Sequence, residues 1–363
     1  MPSFNIRLTD CVTGLRQYLA PGAAKLVVTS IPFGALFMYS GKVADIGNCS
    51  DGVDMRASEF GLHMRFFVES LWPAMMPGRI ACIHIQQLLR YKNQHGYAGR
   101  RDFRGAVIDL FTERDRFEWV GEVVIPKNPQ VIAKRLSLHS LQFMTGRERD
   151  ACKLAPAVND YVLFFRKPGE NPEPVKAIHD ASTNRQGWLE SEEWIRDAYG
   201  VWRWDDLVLN GQKGQRIVPG LGSKFDENFA LEGFTDAYGG ALIQEWQESG
   251  IWDDIMEGDV LQNWRSARAS KDEKHVCPLQ LEVIRRCVRL YSNPGDLVVD
   301  PFMGIGSTAV VAIEEGRDAA GFELKESYHA QANRNAKKAV EAYQPNLLRV
   351  LTGGGKRCLT VSA

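Results

Sequence analysis

Val298-Val299-Asp300-Pro301-Phe302-Met303-Gly304-Ile305-Gly306-Ser307-Thr308 is the stretch on which the fold turns. Its first residues form a short apolar, β-branched run, the mark of a buried strand, and from Ser307 to Glu315 the pattern reads as a helix. The G-x-G turn between them lets backbone approach a ligand, and the helix start offers unpaired N–H groups to an anion. The next strand candidate, Asp318 to Phe322, runs into Glu323, an acid placed to accept hydrogen bonds from both hydroxyls of a ribose. Strand, glycine turn, helix, strand and acid in this order describe a nucleotide site.

Asp300 narrows the ligand class. A dinucleotide fold usually has glycine early in this turn to admit pyrophosphate, whereas an acid here repels pyrophosphate and suits a cationic ligand. S-adenosylmethionine carries an ammonium and a sulfonium, and its carboxylate can still use the helix N-terminus.

Working outward, strand-like runs alternate with helical ones, the pattern of a doubly wound α/β sheet. Strands are predicted at Phe4–Leu8, Lys25–Thr29, Arg79–Ile85, Phe117–Ile125, Tyr161–Arg166 and Leu297–Asp300. Helices are predicted at Val12–Leu19, Glu59–Met75, Val107–Arg116, Leu279–Tyr291 and Glu326–Tyr343. The fold class expected is α/β: a Rossmann-like, mostly parallel sheet with an inserted subdomain. The prolines of Lys167–Pro174 end the first half. The expected division is a catalytic half with the base pocket at 1–167, an acidic inserted subdomain open to a role in target recognition at 168–259, a cofactor half at 260–343 and a tail at 344–363.

Composition excludes several classes. The chain has 363 residues, 44% hydrophobic and 25% charged, the balance of a globular protein. No apolar run is long enough for a membrane span, and the start Met1-Pro2-Ser3-Phe4-Asn5 lacks a secretory pattern. The 7 cysteines are scattered, with no C-x-x-C pair, as expected of reduced thiols in a cytoplasm and not of a disulfide framework or zinc knuckle; no metal is expected. The net charge of -1 conceals an asymmetry: Trp188–Asp259 carries 16 acids and 5 bases, a net of -11, leaving +10 elsewhere. Arg90–Arg104 alone is +4, so a nucleic-acid footprint is confined to one face.

A second motif, Thr29-Ser30-Ile31-Pro32-Phe33, ends a buried strand. A hydroxyl, a turn carbonyl and an aromatic face within a few residues can grip a flat base with an exocyclic amine. Ser30 and the Ile31 carbonyl would accept the amine hydrogens, and Phe33 would stack on the ring.

Taken together, the motifs resemble those of the permuted β class of DNA amino-methyltransferases, with the catalytic (S/N/D)-P-P-(Y/F) motif early and the cofactor motif late. Leu8-Thr9-Asp10-Cys11 with Gly14-Leu15, Pro77-Gly78-Arg79, Gly121–Lys127, Lys274-His275-Val276-Cys277-Pro278 and Gly321-Phe322-Glu323 with Tyr328 extend the likeness over roughly residues 5–167 and 250–340. The resemblance implies a circularly permuted S-adenosylmethionine-dependent methyltransferase fold and a cytoplasmic, site-specific enzyme acting on double-stranded DNA. It implies a catalytic set of Ser30, Ile31, Pro32 and Phe33. It implies a cofactor set of Asp10, His275, Pro278, Asp300, Phe302, Gly304, Gly306, Ser307 and Glu323. His275 would close over the cofactor or cap the helix that follows it. One departure is Ile31, where the family has proline: the locked φ is lost and an N–H is added.

Serine at the first motif position goes mostly with cytosine N4 in that family, and Asp or Asn with adenine N6, so N4-cytosine is expected and N6-adenine is the alternative. A C5-cytosine mechanism needs a nucleophilic Cys after Pro, and none is present. DNA contacts are expected from Arg90, Lys92, Arg100, Arg101 and Arg104, and from Lys134 and Arg135, since an acidic insert is a poor face for phosphate. A cognate restriction endonuclease or none, and a monomer or homodimer, fit equally. Two rivals stay open: a methyltransferase acting on RNA or a small amine, and a non-catalytic DNA-binding protein that retains the fold.

Overall fold

The computed structural model describes residues 1–34, 40, 42–52, 54–90, 96–97, 99–127, 159–175, 250–252, 255–256, 258–262 and 278–343, with two strand pairs at 216–217 and 224–225. The chain divides into two compact units, one of residues 2–175 and 250–341, the other of residues 176–249 with Met1 and 342–363. Residues 176–249 of the acidic insert, apart from 216–217 and 224–225, together with His275, Lys92, Lys134, Arg135 and the tail from 344, therefore lie outside the described residues.

In chain order the elements are β1 (Phe4–Leu8), α1 (Cys11–Tyr18), β2 (Leu26–Ser30), α2 (Glu59–Ala74), β3 (Ile80–Gln86), β4 (Leu88–Arg90), β5 (Gly99–Arg101), α3 (Phe103–Thr112), β6 (Glu118–Ile125) and β7 (Asp160–Arg166). There follow β8 (Arg216–Ile217), β9 (Lys224–Phe225), α4 (Leu281–Tyr291), β10 (Leu297–Asp300), α5 (Ser307–Glu314), β11 (Asp318–Glu323) and α6 (Glu326–Ala342). The main sheet has seven strands in the order β1-β11-β10-β2-β3-β7-β6. The first five run parallel; β7 is antiparallel to β3, and β6 to β7. The last two strands of the chain thus lie between the first two, as a permuted order requires.

Local chemistry explains the elements. β2 reads Leu-Val-Val-Thr-Ser with its first four residues buried, as a central strand covered on both faces must be. Helix starts are marked by side chains accepting orphan N–H groups: Asp10 from Thr13, Ser58 from Gly61 and Asp102 from Gly105. The Asp102 cap starts α3 earlier than the Val107 expected from periodicity. At its other end α3 gives way to a short turn in which Arg114 and Asp115 adopt positive φ. The β4–β5 hairpin, inside the basic stretch, has no clear alternation in sequence. α2 and α3 press an aromatic layer onto the sheet, with Phe111 stacked on Phe165 at 4.4 Å and Phe67 edge-on to Phe302 at 5.1 Å. After the insert the chain returns beside β6: Val124 bonds the Gly250 carbonyl, and Trp252 bonds that of Val124. Among the described residues no helix is long and apolar enough to cross a membrane.

Candidate active site

β10 has β11 and then β1 on one side and β2 on the other. Strand order therefore reverses between β10 and β2, and α/β sheets bind ligands outside the carboxyl ends of their strands at such a point. Asp300 ends β10 and Ser30 ends β2, so motifs some 270 residues apart in sequence become neighbours.

Asp300 is a junction. It is 5% exposed, and its carboxylate accepts from Thr29 Oγ1 at 2.6 Å, Thr308 Oγ1 at 2.6 Å and the Phe302 N–H at 3.0 Å. These bonds tie β2, the glycine turn and α5 together. Burial pushes the Asp300 carboxyl above its ordinary range, against the pull of the hydrogen bonds. Thr29 and Thr308 sat within the quoted motifs, but nothing in the sequence pairs them with one carboxylate.

The turn beyond opens outward. Gly304 has φ +56° and a Cβ there would meet nothing within 4 Å, so its backbone borders open space. Gly306, at φ +92°, faces inward: a Cβ would lie 3.0 Å from the Ala332 backbone of α6. Gly306 also caps α5 without any side-chain acceptor, leaving the helix start for other partners. Ser307 is buried at that start, whereas Phe302 is partly exposed. Glu323, at the end of β11, accepts the Gly304 N–H at 2.8 Å and the Lys325 N–H at 2.8 Å, one on each carboxylate oxygen. Burial pushes its carboxyl up to about 7. Leu8 of β1 pairs with Glu323, which brings Asp10 to the same edge as the cap of α1. A glycine facing open space, an uncapped helix start and an acid with spare lone pairs fit a ligand carrying hydroxyls and a carboxylate.

On the β2 side, Ile31 is 1% exposed and packs into the main core, and Pro32 is buried behind it. Phe33 is partly exposed, with its ring 5.9 Å from His84 and 6.3 Å from Phe103. His84 is the residue that sequence reasoning missed. It sits opposite Ser30 in the β2–β3 register, and its Nδ1 lies 2.9 Å from Ser30 Oγ. Its Nε2 lies 3.1 Å from Asp160 Oδ2, and Lys127 Nζ lies 2.8 Å from the same oxygen. A histidine inside the apolar run Ile80–Ile85 was the only signal.

Pro278 lies just ahead of α4. The cap there comes from Asp259, whose carboxylate accepts the Glu282 N–H at 2.9 Å.

The basic stretch needs a correction. Arg101 is 8% exposed and bonds the Asp51 carboxylate at 2.8 Å and the carbonyls of Asp51 and Gly52. It holds a loop together and is not available to phosphate. Arg104 pairs with Glu122 and lies over Trp119, and Arg90 lies over Tyr97. Arg100, between them in sequence, is partly exposed. The four described cysteines, Cys11, Cys49, Cys82 and Cys287, are buried and free. Burial pushes the Cys11, Cys49 and Cys82 thiols up, which keeps them protonated.

Residues 24–334 match the N6/N4 family described as DNA methylase. The type II methyltransferase M1.MboII of Moraxella bovis is 46% identical over 59 residues, 16% of this chain and 23% of that protein. The match thus spans less than a quarter of that curated relative's length. TTHA0409 of Thermus thermophilus, assigned as a DNA modification methylase and solved with S-adenosyl-L-methionine, superposes with a TM-score of 0.53 at 18% identity, over 94% of this chain and 98% of its own. The PvuII DNA methyltransferase, cytosine-N4-specific, superposes with a TM-score of 0.51 at 15% identity, over 97% and 94%. At these identities the likeness is one of fold.

Proposed function

The chain belongs to the N6/N4 DNA methylase family, and on that premise we propose that it methylates the exocyclic amine of a base flipped from duplex DNA, with S-adenosylmethionine as donor and cytosine N4 as the favoured target. The observation that carries the reading is the Thr29–Asp300 hydrogen bond across the switch point, which holds the Ser30 motif beside the glycine turn. An amine held by one motif then lies near a donor held by the other, and such positioning accounts for much of a transfer rate.

The residues divide the work. Glu323 would accept the ribose hydroxyls, Gly304 would let the ligand approach the backbone, and the start of α5 would take a carboxylate. Asp10, Pro278, Phe302 and Ser307 would border that ligand, and His275 is proposed as a further cofactor contact. When bound, S-adenosylmethionine supplies an activated methyl group. Ser30 Oγ and the Ile31 carbonyl would accept the two amine hydrogens, drawing the nitrogen lone pair out of the ring. Phe33 would stack on the flipped base and offset part of the unstacking cost. Among the described residues, the buried, protonated thiols of Cys11, Cys49 and Cys82 are poor nucleophiles for a covalent route. Ile31 keeps the carbonyl of the family's proline, and its side chain anchors the turn in the core. Arg90, Arg100 and Arg104 remain the described basic residues proposed to face DNA.

Mass spectrometry of nucleosides from duplex DNA incubated with the enzyme tests this. N4-methylcytosine is expected. N6-methyladenine alone would move the target to adenine, and methylated RNA with unmodified DNA would replace the substrate. Cofactor binding without turnover on any nucleic acid would leave a non-catalytic binder.

A further inference from the structure

Ser30, His84 and Asp160 form a continuous hydrogen-bonded line from the pocket into the sheet, ending at Lys127. The inner members are nearly dry: His84 is 7% exposed and Asp160 6%. Three strands supply them, Ser30 from β2, His84 from β3 and Asp160 from β7, with Lys127 just beyond β6.

The polarity of the line follows from its inner end. Burial raises the Asp160 carboxyl, but the His84 hydrogen bond and the Lys127 ammonium 2.8 Å from Oδ2 outweigh it and hold the group below the usual carboxylate range. An ionised carboxylate only accepts, so His84 Nε2 carries the hydrogen. In a neutral ring Nδ1 is then an acceptor, and Ser30 must donate its O–H to it. Ser30 Oγ then keeps its lone pairs to accept an incoming amine N–H. A proton on Nδ1 reverses this: the ring donates to Ser30, and the hydroxyl turns its hydrogen outward against the amine.

We propose that His84, positioned by Asp160 and Lys127, sets the acceptor polarity of Ser30 and takes the proton released during methyl transfer. The inference rests on the functional reading above. As the nitrogen–carbon bond forms and the sulfur–carbon bond breaks, the amine nitrogen becomes cationic. One N–H bond then breaks, its proton passing to Ser30 Oγ while the serine's own proton passes to His84 Nδ1. Lys127 already neutralises Asp160, so the arriving proton adds a full charge to a dry site, and His84 passes it to water once product leaves. The donor loses its methyl group, the base exchanges one hydrogen for it, and one proton reaches solvent. No other oxidant, metal or nucleophile enters the balance.

Three measurements test the relay. Single-turnover methylation by the wild type and by His84→Gln is followed against pH. The expected loss in rate is about 100-fold, with affinities for S-adenosylmethionine and DNA held within about twofold. With S-adenosylmethionine saturating at every pH, the wild-type rate should fall on the acid side, and that limb should vanish in the variant. Asp160→Asn keeps the volume of the side chain and should lose about tenfold in rate with DNA affinity intact. Nitrogen-15 NMR of histidine-labelled wild type, with His84 assigned by its absence from the variant, should show hydrogen on Nε2 and not on Nδ1. An Nδ1–H tautomer, or a His84→Gln rate within threefold of wild type and an unchanged acid limb, overturns the relay alone. A wild type inactive on every nucleic acid overturns the functional reading and the relay with it.

Discussion

Thr29 Oγ1 donates to Asp300 Oδ1 at 2.6 Å, joining residues 271 positions apart across the strand-order reversal between β10 and β2. The bond lies between the Thr29–Phe33 motif and the glycine turn at Gly304–Gly306. Both partners are buried, and Asp300 is held as well by Thr308 and the Phe302 N–H.

Thr29→Val removes this donor and leaves Asp300 one hydrogen bond short in a dry site. A loss of about 1–3 kcal/mol in urea unfolding is expected. Asp300→Asn keeps an acceptor for Thr29 and tests the charge. Because the folded Asp300 carboxyl is raised, its favourable contribution is complete at low pH and is lost as pH climbs through the raised value. The asparagine variant should therefore show a flatter decline in stability above the ordinary carboxylate range. An identical pH slope in both proteins would contradict the assignment.

Glu323 gives a pH dependence to ligand binding. Its carboxyl is raised to about 7, and a donated ribose hydroxyl favours the ionised form. Affinity for S-adenosylmethionine should tighten as pH rises through about 7 and level off above it. Glu323→Gln should bind roughly tenfold to hundredfold more weakly and without that slope. Calorimetric titration at several pH values reads both effects.

The two glycines of the turn should separate stability from binding. Gly306→Ala forces both a positive φ and a contact 3.0 Å from α6, so a loss of about 2 kcal/mol in thermal or urea unfolding is expected. Gly304→Ala meets no atom and incurs only backbone strain of about 1 kcal/mol, yet its methyl enters the space left for ligand. It should fold and bind S-adenosylmethionine poorly. Equal binding by Gly304→Ala and wild type would move the ligand away from this turn.

Arg101→Ala should destabilise the fold by about 3 kcal/mol, since it removes three buried hydrogen bonds, to the Asp51 carboxylate and to the carbonyls of Asp51 and Gly52. Once corrected for the folded fraction, its DNA affinity should keep the wild-type salt slope. Arg100→Glu should reduce that slope. A reduced slope in Arg101→Ala would return that residue to the DNA face.

Much of this was legible along the chain. Lys25–Thr29 and Leu297–Asp300 read as buried strands because their runs Leu26–Val28 and Leu297–Val299 are continuously apolar, as a strand covered on both faces requires. The G-x-G turn and Glu323 read as a nucleotide site because only certain residue types tolerate those backbone and hydrogen-bonding roles. The β4–β5 hairpin was not legible, since three-residue strands carry too little alternation. Arg101 was misread because charge says nothing about whether a long side chain turns inward to carbonyl groups.

The amino-acid sequence by itself determined the alternation of strands and helices, the order of the two motifs and the residue types that stand in each, because periodicity and residue chemistry are local properties. Only the tertiary structure decided that Asp300 is tied to Thr29 and Thr308, that Gly304 looks outward while Gly306 looks inward, and that Ser30 is backed by His84, Asp160 and Lys127. Those relationships depend on which strands become neighbours and in what register. Pairing between segments up to 270 residues apart is set by the packing of the whole sheet, which no short window of sequence contains.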